Sequence, residues 1–259
     1  FQDNSKLIQT ISALFILLFF LFYTSSGLVA GGKLFETVFG LDYTYAVIIG
    51  TVCVVSYTLF GGFLAVAWTD LIQGLMMSAA LIVVPLVAID GGWTELSSTL
   101  TTKNPELLNI WTSVSGEPLS AIAIISLVAW GLGYFGQPHI LARFKASRSN
   151  KDIKTARRIA VIWTLISMTG ALLIGLVGIS YVDSNLAGNL ADPEKIFMVL
   201  VNAVFHPVVA GILLAAILAA IMSTADSQLL VSSSALAEDF YKKLFNKEAT
   251  QQQIVNVGR

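Results

Sequence analysis

Six apolar stretches, each long enough to cross a bilayer as a helix, dominate this sequence and restrict what it can fold into. They are Leu7–Gly31, Tyr45–Val66, Asp70–Ile89, Leu119–Leu141, Ile159–Val182 and Val208–Leu236. A transmembrane helix needs about 20 mostly apolar residues. The whole chain is 56% hydrophobic and 12% charged, whereas soluble domains carry about 25% charged residues. The sequence therefore predicts an all-α membrane protein with six transmembrane helices.

The segments between these stretches predict how the helices are joined. Only Ala67-Trp68-Thr69 separates the second stretch from the third, which predicts a tight antiparallel hairpin. Lys33–Phe39 has its charges spaced as in a short amphipathic piece. The polar residues 90–118 predict an extracytoplasmic loop, and residues 183–207 predict a second one that holds a short helix at Pro193–Phe205.

The distribution of Lys and Arg predicts the orientation, because cytoplasmic loops carry an excess of these residues. Residues 143–158 form a basic loop with seven of the fifteen Lys and Arg residues. With six crossings, this loop falls on the same side as Lys6 and as the basic residues that follow the last stretch. We therefore expect the loop and both ends of the sequence to be cytoplasmic.

The last stretch carries four polar residues in its middle: Ser223, Thr224, Asp226 and Ser227. Polar groups at membrane depth are costly unless they face protein, water or an ion. Hydroxyl and carbonyl oxygens suit a hard cation, a preference that we extend from Ca²⁺ and Mg²⁺ to Na⁺. In the alternative interpretation the hydroxyls bond to carbonyl groups one turn back along the helix. Both interpretations stay open on spacing alone.

The fourth stretch contains residues that break helices, namely Gly131, Gly133, Gly136 and Pro138. Irregular backbone at membrane depth survives where it is buried in protein or lines a cavity, and broken helices mark binding sites in transporters. Trp130 and Tyr134 share one face and are suited to stacking on a small solute. A glycine-lined packing groove near the interface is the alternative.

Of two further positions, Asp70 allows two interpretations and Tyr23 allows one. Asp70 opens the third stretch, where a carboxylate is favourable at a helix N-terminus, yet it also suits a staging point for a cation. Tyr23 ends the apolar part of the first stretch, where spacing alone favours a position at the membrane interface.

Several classes of protein find no support in this sequence. A single cysteine, Cys53, excludes an internal disulfide and a cysteine-based metal site. Motifs of hydrolases, nucleotide-binding proteins and zinc sites are missing. An intramembrane hydrolase that uses Ser223 and Asp226 would need a base at the same depth, and the other stretches offer none. The sequence begins without Met and ends at Arg259 without an evident terminus, so we expect an internal fragment of a longer protein.

Three runs of residues resemble the sodium/solute symporter family and, within it, the sodium/proline symporters. They are GGFLAVAWTDLIQ (61–73), ISLVAWGLGYFGQPHILARF (125–144) and GILLAAILAAIMSTADSQLLVSSSALAEDFYK (211–242). The resemblance implies a partial LeuT-like inverted-repeat bundle, in which the six stretches correspond to the third to eighth core helices and one helix is broken.

The resemblance also assigns roles to single residues. It implies that Ala220, Ser223 and Thr224 are ligands of a co-transported Na⁺ and that Asp70 lies on the inner ion pathway. It implies a substrate-facing role for four further residues, namely Tyr23, Trp130, Tyr134 and Pro138. It offers no role for Asp226.

The function implied is Na⁺-coupled uptake of L-proline across the cell membrane rather than an enzymatic reaction. Another small solute, such as pantothenate, a sugar or a different amino acid, stays an alternative. The same bundle also serves as the input module of some membrane sensor kinases, which a kinase domain downstream in a longer sequence would reveal.

Overall fold

The chain is helical almost throughout in the computed structural model, which describes residues 7–259 with the exception of residues 114 and 187. The α-helices are α1 (Leu7–Phe39), α2 (Tyr43–Ala88), α3 (Gly92–Lys103), α4 (Ala121–Gly133), α5 (Pro138–Lys145), α6 (Asn150–Asn185), α7 (Ile196–Val204), α8 (Pro207–Ser234) and α9 (Gln251–Gly258). A π-helical segment, Ala235–Phe245, continues α8. Short 3₁₀ turns cover Pro105–Leu108, Tyr134–Gly136 and Pro193–Lys195. The predicted all-α architecture is confirmed.

Five segments within the described residues are long and apolar enough to cross a membrane: Leu7–Phe39, Gly62–Ala88, Ala121–Lys145, Asn150–Asn185 and Pro207–Lys243. They agree with five of the six predicted stretches. The remaining stretch, predicted at Tyr45–Val66, contains the shorter apolar helix Tyr43–Ser56. These helices confirm a multi-pass membrane protein.

The predicted hairpin at Ala67-Trp68-Thr69 is wrong. The interruption within α2 lies earlier, at Gly62, whose φ of 60° and ψ of −169° are not helical. The helix continues through Thr69, whose hydroxyl donates to the carbonyl oxygens of Ala65 and Val66. Bonding of this kind, to carbonyl groups one turn earlier, is a usual arrangement for a Thr hydroxyl inside a helix.

Two of the predicted connections are more helical than expected, and a third contains the helix that was predicted. Lys33–Phe39 is not a separate piece, because α1 continues through it to Phe39. The segment 90–118 is not only loop, since it contains α3 and the turn Pro105–Leu108. The short helix predicted at Pro193–Phe205 is present as a 3₁₀ turn followed by α7.

The chain divides into two compact units. The first comprises residues 1–74 and 217–259, and the second comprises residues 75–216. In the first unit, Gly27 and Gly31 of α1 lie against Ile221 of α8, and Gln9 donates to Asp239 in the π-helical segment. In the second unit, α6 packs against α3 and α7.

Candidate functional site

The first unit brings together Ser223 and Asp70, two residues that the sequence predicted separately. The Ser223 hydroxyl donates to a carboxylate oxygen of Asp70 over 2.5 Å. Both residues are half-buried. Ser223 lies 16 residues after the start of α8, which is about 24 Å along a helix at 1.5 Å per residue. A carboxylate and a hydroxyl are therefore paired deep within a spanning helix.

Asp70 does not open a helix, so the prediction that it caps an N-terminus is wrong. It lies well inside the helical segment that follows Gly62, where an acidic side chain gains nothing from the helix N-terminus. One turn further along the same face lies Gln73, whose buried side-chain oxygen has no hydrogen-bond partner among the described residues. Buried acceptors of this kind usually find a donor or an ion.

Thr224 and Ala220 form the second pair of oxygens. The Thr224 hydroxyl donates to the carbonyl oxygen of Ala220 over 3.0 Å, which is the back-bonding that the alternative interpretation describes. The Thr224 hydroxyl keeps its two lone pairs for a cation, whereas the two of the Ala220 carbonyl are engaged, because inside α8 this oxygen also accepts a helical N–H. The separation of 3.0 Å is that of an ordinary hydrogen bond, and the role of this pair as ligands of Na⁺ stays a prediction.

A buried polar run follows the pair and was only partly anticipated. Asp226 and Gln228 are fully buried, and Ser227 is almost so. The Thr24 hydroxyl on α1 donates to the side-chain oxygen of Gln228 over 2.8 Å, while the amide nitrogen of Gln228 has no partner among the described residues. Sequence reasoning missed Gln228 and Thr24. An amide in a spanning helix was the available signal, since polar residues there are expensive.

Tyr23, predicted to face the substrate, precedes Thr24 on α1. Its side chain is 41% exposed, and its carbonyl oxygen accepts a hydrogen bond from the Ser26 hydroxyl. The substrate role of Tyr23 stays a prediction.

The second unit contains the predicted break in the fourth stretch. The helix α4 ends at Gly133, a 3₁₀ turn covers Tyr134–Gly136, and α5 begins at Pro138. Gln137 is extended, with ψ of 122°, as expected for a residue before proline. The broken helix is confirmed.

Two predicted substrate residues, Trp130 and Tyr134, lie side by side at this break. Their ring centroids are 5.6 Å apart, and the ring planes are tilted by 50°. The side chains are 63% and 42% exposed, so their faces are accessible for stacking. They belong to the second unit, whereas Tyr23 and the hydroxyl residues belong to the first. A single site formed by both sets stays a prediction.

Comparison with known proteins gives close relatives along the whole chain. The high-affinity proline transporter PutP of Bacillus subtilis (strain 168) is 50% identical, and the match covers 100% of this chain and 54% of that protein. A sodium/proline symporter of Salmonella typhimurium (strain LT2) is 47% identical, with 100% of this chain and 52% of that protein covered. The chain thus spans about half the length of these relatives.

A solved structure described as the substrate-bound outward-open state of a Na⁺-coupled sialic acid symporter has the same fold. It matches with a TM-score of 0.77 and 24% identity over 95% of this chain and 54% of that one. The prediction of a partial LeuT-like bundle is confirmed by this likeness. The model of the sodium:solute symporter family matches residues 1–259, and the chain therefore belongs to that family.

Proposed function

We propose that the protein containing this chain carries out Na⁺-coupled symport of L-proline into the cell. The observation that carries the proposal is the 50% identity to a proline transporter over every part of the chain. The contact between Ser223 and Asp70 adds a physical reason for the cation. A carboxylate at membrane depth is costly when uncompensated, and a bound Na⁺ would neutralise it.

The cation half of the mechanism rests on α8 and α2. Ala220 and Ser223 would offer carbonyl oxygens to Na⁺, and Ser223 and Thr224 would offer hydroxyl oxygens. Asp70 would receive the ion on the inner pathway. The 2.5 Å contact of Asp70 with Ser223 puts the two roles within reach of one ion. The side-chain oxygen of Gln73, which has no hydrogen-bond partner within the described part of the chain, is a further acceptor along the same helix face.

The substrate half rests on the aromatic residues. Proline has an apolar ring, which Trp130 and Tyr134 would contact through their exposed faces beside Pro138. Tyr23, which belongs to the first unit, is a separate candidate for contact with the substrate. Coupling follows if bound Na⁺ favours the state that binds proline, because each ligand then raises the affinity for the other by the same factor. The membrane potential supplies about 2.3 kcal/mol per charge per 100 mV.

We further infer that the basic loop 143–158 and both ends of the chain face the cytoplasm. Residues 143–158 form the end of α5, the connection 146–149 and the start of α6 rather than a continuous loop, and all seven Lys and Arg side chains are exposed. An excess of Lys and Arg in a short loop is typical of the cytoplasmic side. A cysteine placed in this loop should react with a membrane-impermeant maleimide in inside-out vesicles and not in intact cells.

The cation role is tested by uptake of radiolabelled proline into cells that express the full-length protein. We expect uptake to require Na⁺ and to be lost when Na⁺ is replaced by K⁺. Thr224→Ala should raise the Na⁺ concentration for half-maximal uptake much more than it lowers uptake at saturating Na⁺. Ser56→Ala is the matched control, because the Ser56 hydroxyl also bonds one turn back, to Val52, at an exposed position. Equal Na⁺ dependence in the two variants would remove Thr224 from the site.

The substrate role is tested separately with Trp130→Ala. This change should raise the proline concentration for half-maximal uptake and leave the Na⁺ dependence nearly unchanged. Trp68→Ala is the control, since both tryptophans are 63% exposed. An unchanged proline constant would mean that Trp130 only packs. Competition by a panel of other amino acids, pantothenate and sugars would show whether proline is the solute.

A further inference from the structure

In the segment between α3 and α4, several polar groups bond to one another while three large apolar side chains are exposed. One carboxylate oxygen of Glu106 accepts hydrogen bonds from the Thr112 hydroxyl and the Asn109 amide. The Asn109 side chain in turn accepts from the backbone N–H of Trp111. The Asn104 side chain accepts from the backbone N–H of Glu106. These hydrogen bonds between its own polar groups stabilise the conformation of the segment.

Three large apolar side chains of this segment form an exposed surface, which we call the apolar ridge: Leu108, Ile110 and Trp111. They are 48%, 77% and 66% exposed, respectively. Single apolar residues on a surface are ordinary, but neighbouring ones indicate an interaction site. We therefore expect the apolar ridge to contact another molecule.

The position of the ridge is fixed by a short hairpin that leads into α4. Thr112 pairs with Pro118, and the backbone N–H of Leu119 donates to the carbonyl oxygen of Trp111 over 2.9 Å. Trp111 therefore lies beside Leu119, two residues before α4 begins at Ala121. The segment from Ala121 to Lys145 is long and apolar enough to span a membrane. The ridge consequently lies next to the place where a spanning helix enters the bilayer.

We propose that the apolar ridge is a membrane-interface anchor that lies in the lipid headgroup region beside the start of α4. Tryptophan is enriched at this depth because its ring is apolar and its N–H is polar. Between Asn104 and Ser120 the sequence contains two charged residues, Glu106 and Glu117, and no Lys or Arg. The attachment is therefore apolar and aromatic rather than an electrostatic attraction to anionic lipid.

The proposal is tested on the full-length protein in phosphatidylcholine vesicles, in a background without Cys53 and any other native cysteine. A nitroxide is attached to Ile110→Cys, which retains Trp111, and to Ser115→Cys as the control on the exposed turn of the same hairpin. Power saturation compares collisions with oxygen, which concentrates in lipid, and with a nickel chelate, which stays in water. We expect the label at position 110 to favour oxygen and the label at position 115 to favour nickel.

Two results would overturn the proposal. A label at position 110 that collides with nickel as freely as the label at position 115 would place the ridge in water. A label that is shielded from both reagents would mean that protein, not lipid, covers the ridge. Adding Trp111→Ser to the labelled Ile110→Cys protein should shift its collisions toward nickel, and an unchanged ratio would remove Trp111 from the anchor. Elution of each variant from a size-exclusion column checks that it is folded.

Discussion

The two compact units differ in what holds their interiors together. The first unit buries polar side chains within its spanning helices, with Asp226 and Gln228 fully inaccessible. In the second unit, helices approach each other so closely that glycine is required. Gly170 of α6 lies against the backbone of Leu81, and Gly178 lies against Ile196 of α7.

We call the first unit the chemical part of the molecule and the second unit the packing part. Small residues at helix crossings let backbones approach closely, which stabilises helix pairs in a membrane where the hydrophobic effect between helices is weak. Buried polar groups in a membrane are costly and are typical of ion or substrate pathways. We therefore expect substitutions in the two units to have different consequences.

The largest effect on stability is expected for Gly170→Ala in the packing part. A methyl group at Gly170 would lie 2.5 Å from the carbonyl oxygen of Leu81, and a backbone atom cannot rotate away. The helices must separate, so we expect a loss of about 3 kcal/mol, the upper part of the range for overpacking. The free energy of unfolding in a mixed-micelle titration with dodecyl sulfate measures it.

Gly175→Ala on the same helix is the control for Gly170→Ala. An added methyl group at Gly175 meets no atom within 4 Å, so its unfolding free energy should match that of the unaltered protein. If both variants lose the same stability, the effect comes from α6 itself and the close approach to Leu81 does not matter.

A smaller loss is expected for Gly62→Ala in the first unit. Gly62 combines φ of 60° with ψ of −169°, a conformation that is nearly restricted to glycine and costs other residues about 1–3 kcal/mol. The added methyl group meets nothing within 4 Å, so the whole cost is conformational and we expect about 2 kcal/mol. Gly50→Ala is the control, since its methyl group would make only an ordinary contact with Phe35. Equal stability of both variants would mean that the interruption tolerates alanine.

The two interruptions show how far the sequence predicts this fold. The break near Pro138 was predictable, because proline lacks an N–H and the residue before it avoids helical angles. The interruption at Gly62 was not, because a glycine in an apolar run fits a helix as well as a turn. The predicted hairpin was placed at Trp68-Thr69 instead, where the Thr69 hydroxyl is satisfied within the helix. The local preferences of proline can be read from the sequence, whereas the packing that gives Gly62 a positive φ cannot.

The candidate site shows the same limit. Ser223, Thr224 and Asp70 were predicted from their residue types and from the resemblance to the family. The hydrogen bond between Ser223 and Asp70 joins residues 153 positions apart, and nothing in the local pattern specifies such a pairing. Gln228 could have been found as an amide inside an apolar stretch, but its hydrogen bond with Thr24 on α1 is a long-range contact that the local pattern does not specify.

In the chemical part, Thr24→Val should cost about 1 kcal/mol, as hydrogen bonds between helices in membranes usually do. Valine keeps the shape and removes the donor, which leaves the buried side-chain oxygen of Gln228 without its bond from Thr24. The control is Ser25→Ala, because the exposed Ser25 hydroxyl bonds only back to Leu21. The same titration measures both variants, and equal losses would show that the contact between α1 and α8 contributes nothing to stability.

The smallest effect is expected for Gly133→Ala at the break in the second unit. Gly133 has ordinary helical angles, and an added methyl group meets nothing within 4 Å, so we expect a change within about 0.5 kcal/mol. The break is held by Gln137 and Pro138 rather than by the freedom of this glycine. A loss as large as that of Gly62→Ala would contradict this account. If Gly133→Ala instead keeps its stability and loses proline uptake, the glycine is needed for the space it leaves or for a movement during transport. The break then belongs to the chemistry of the molecule, although it lies in the packing part.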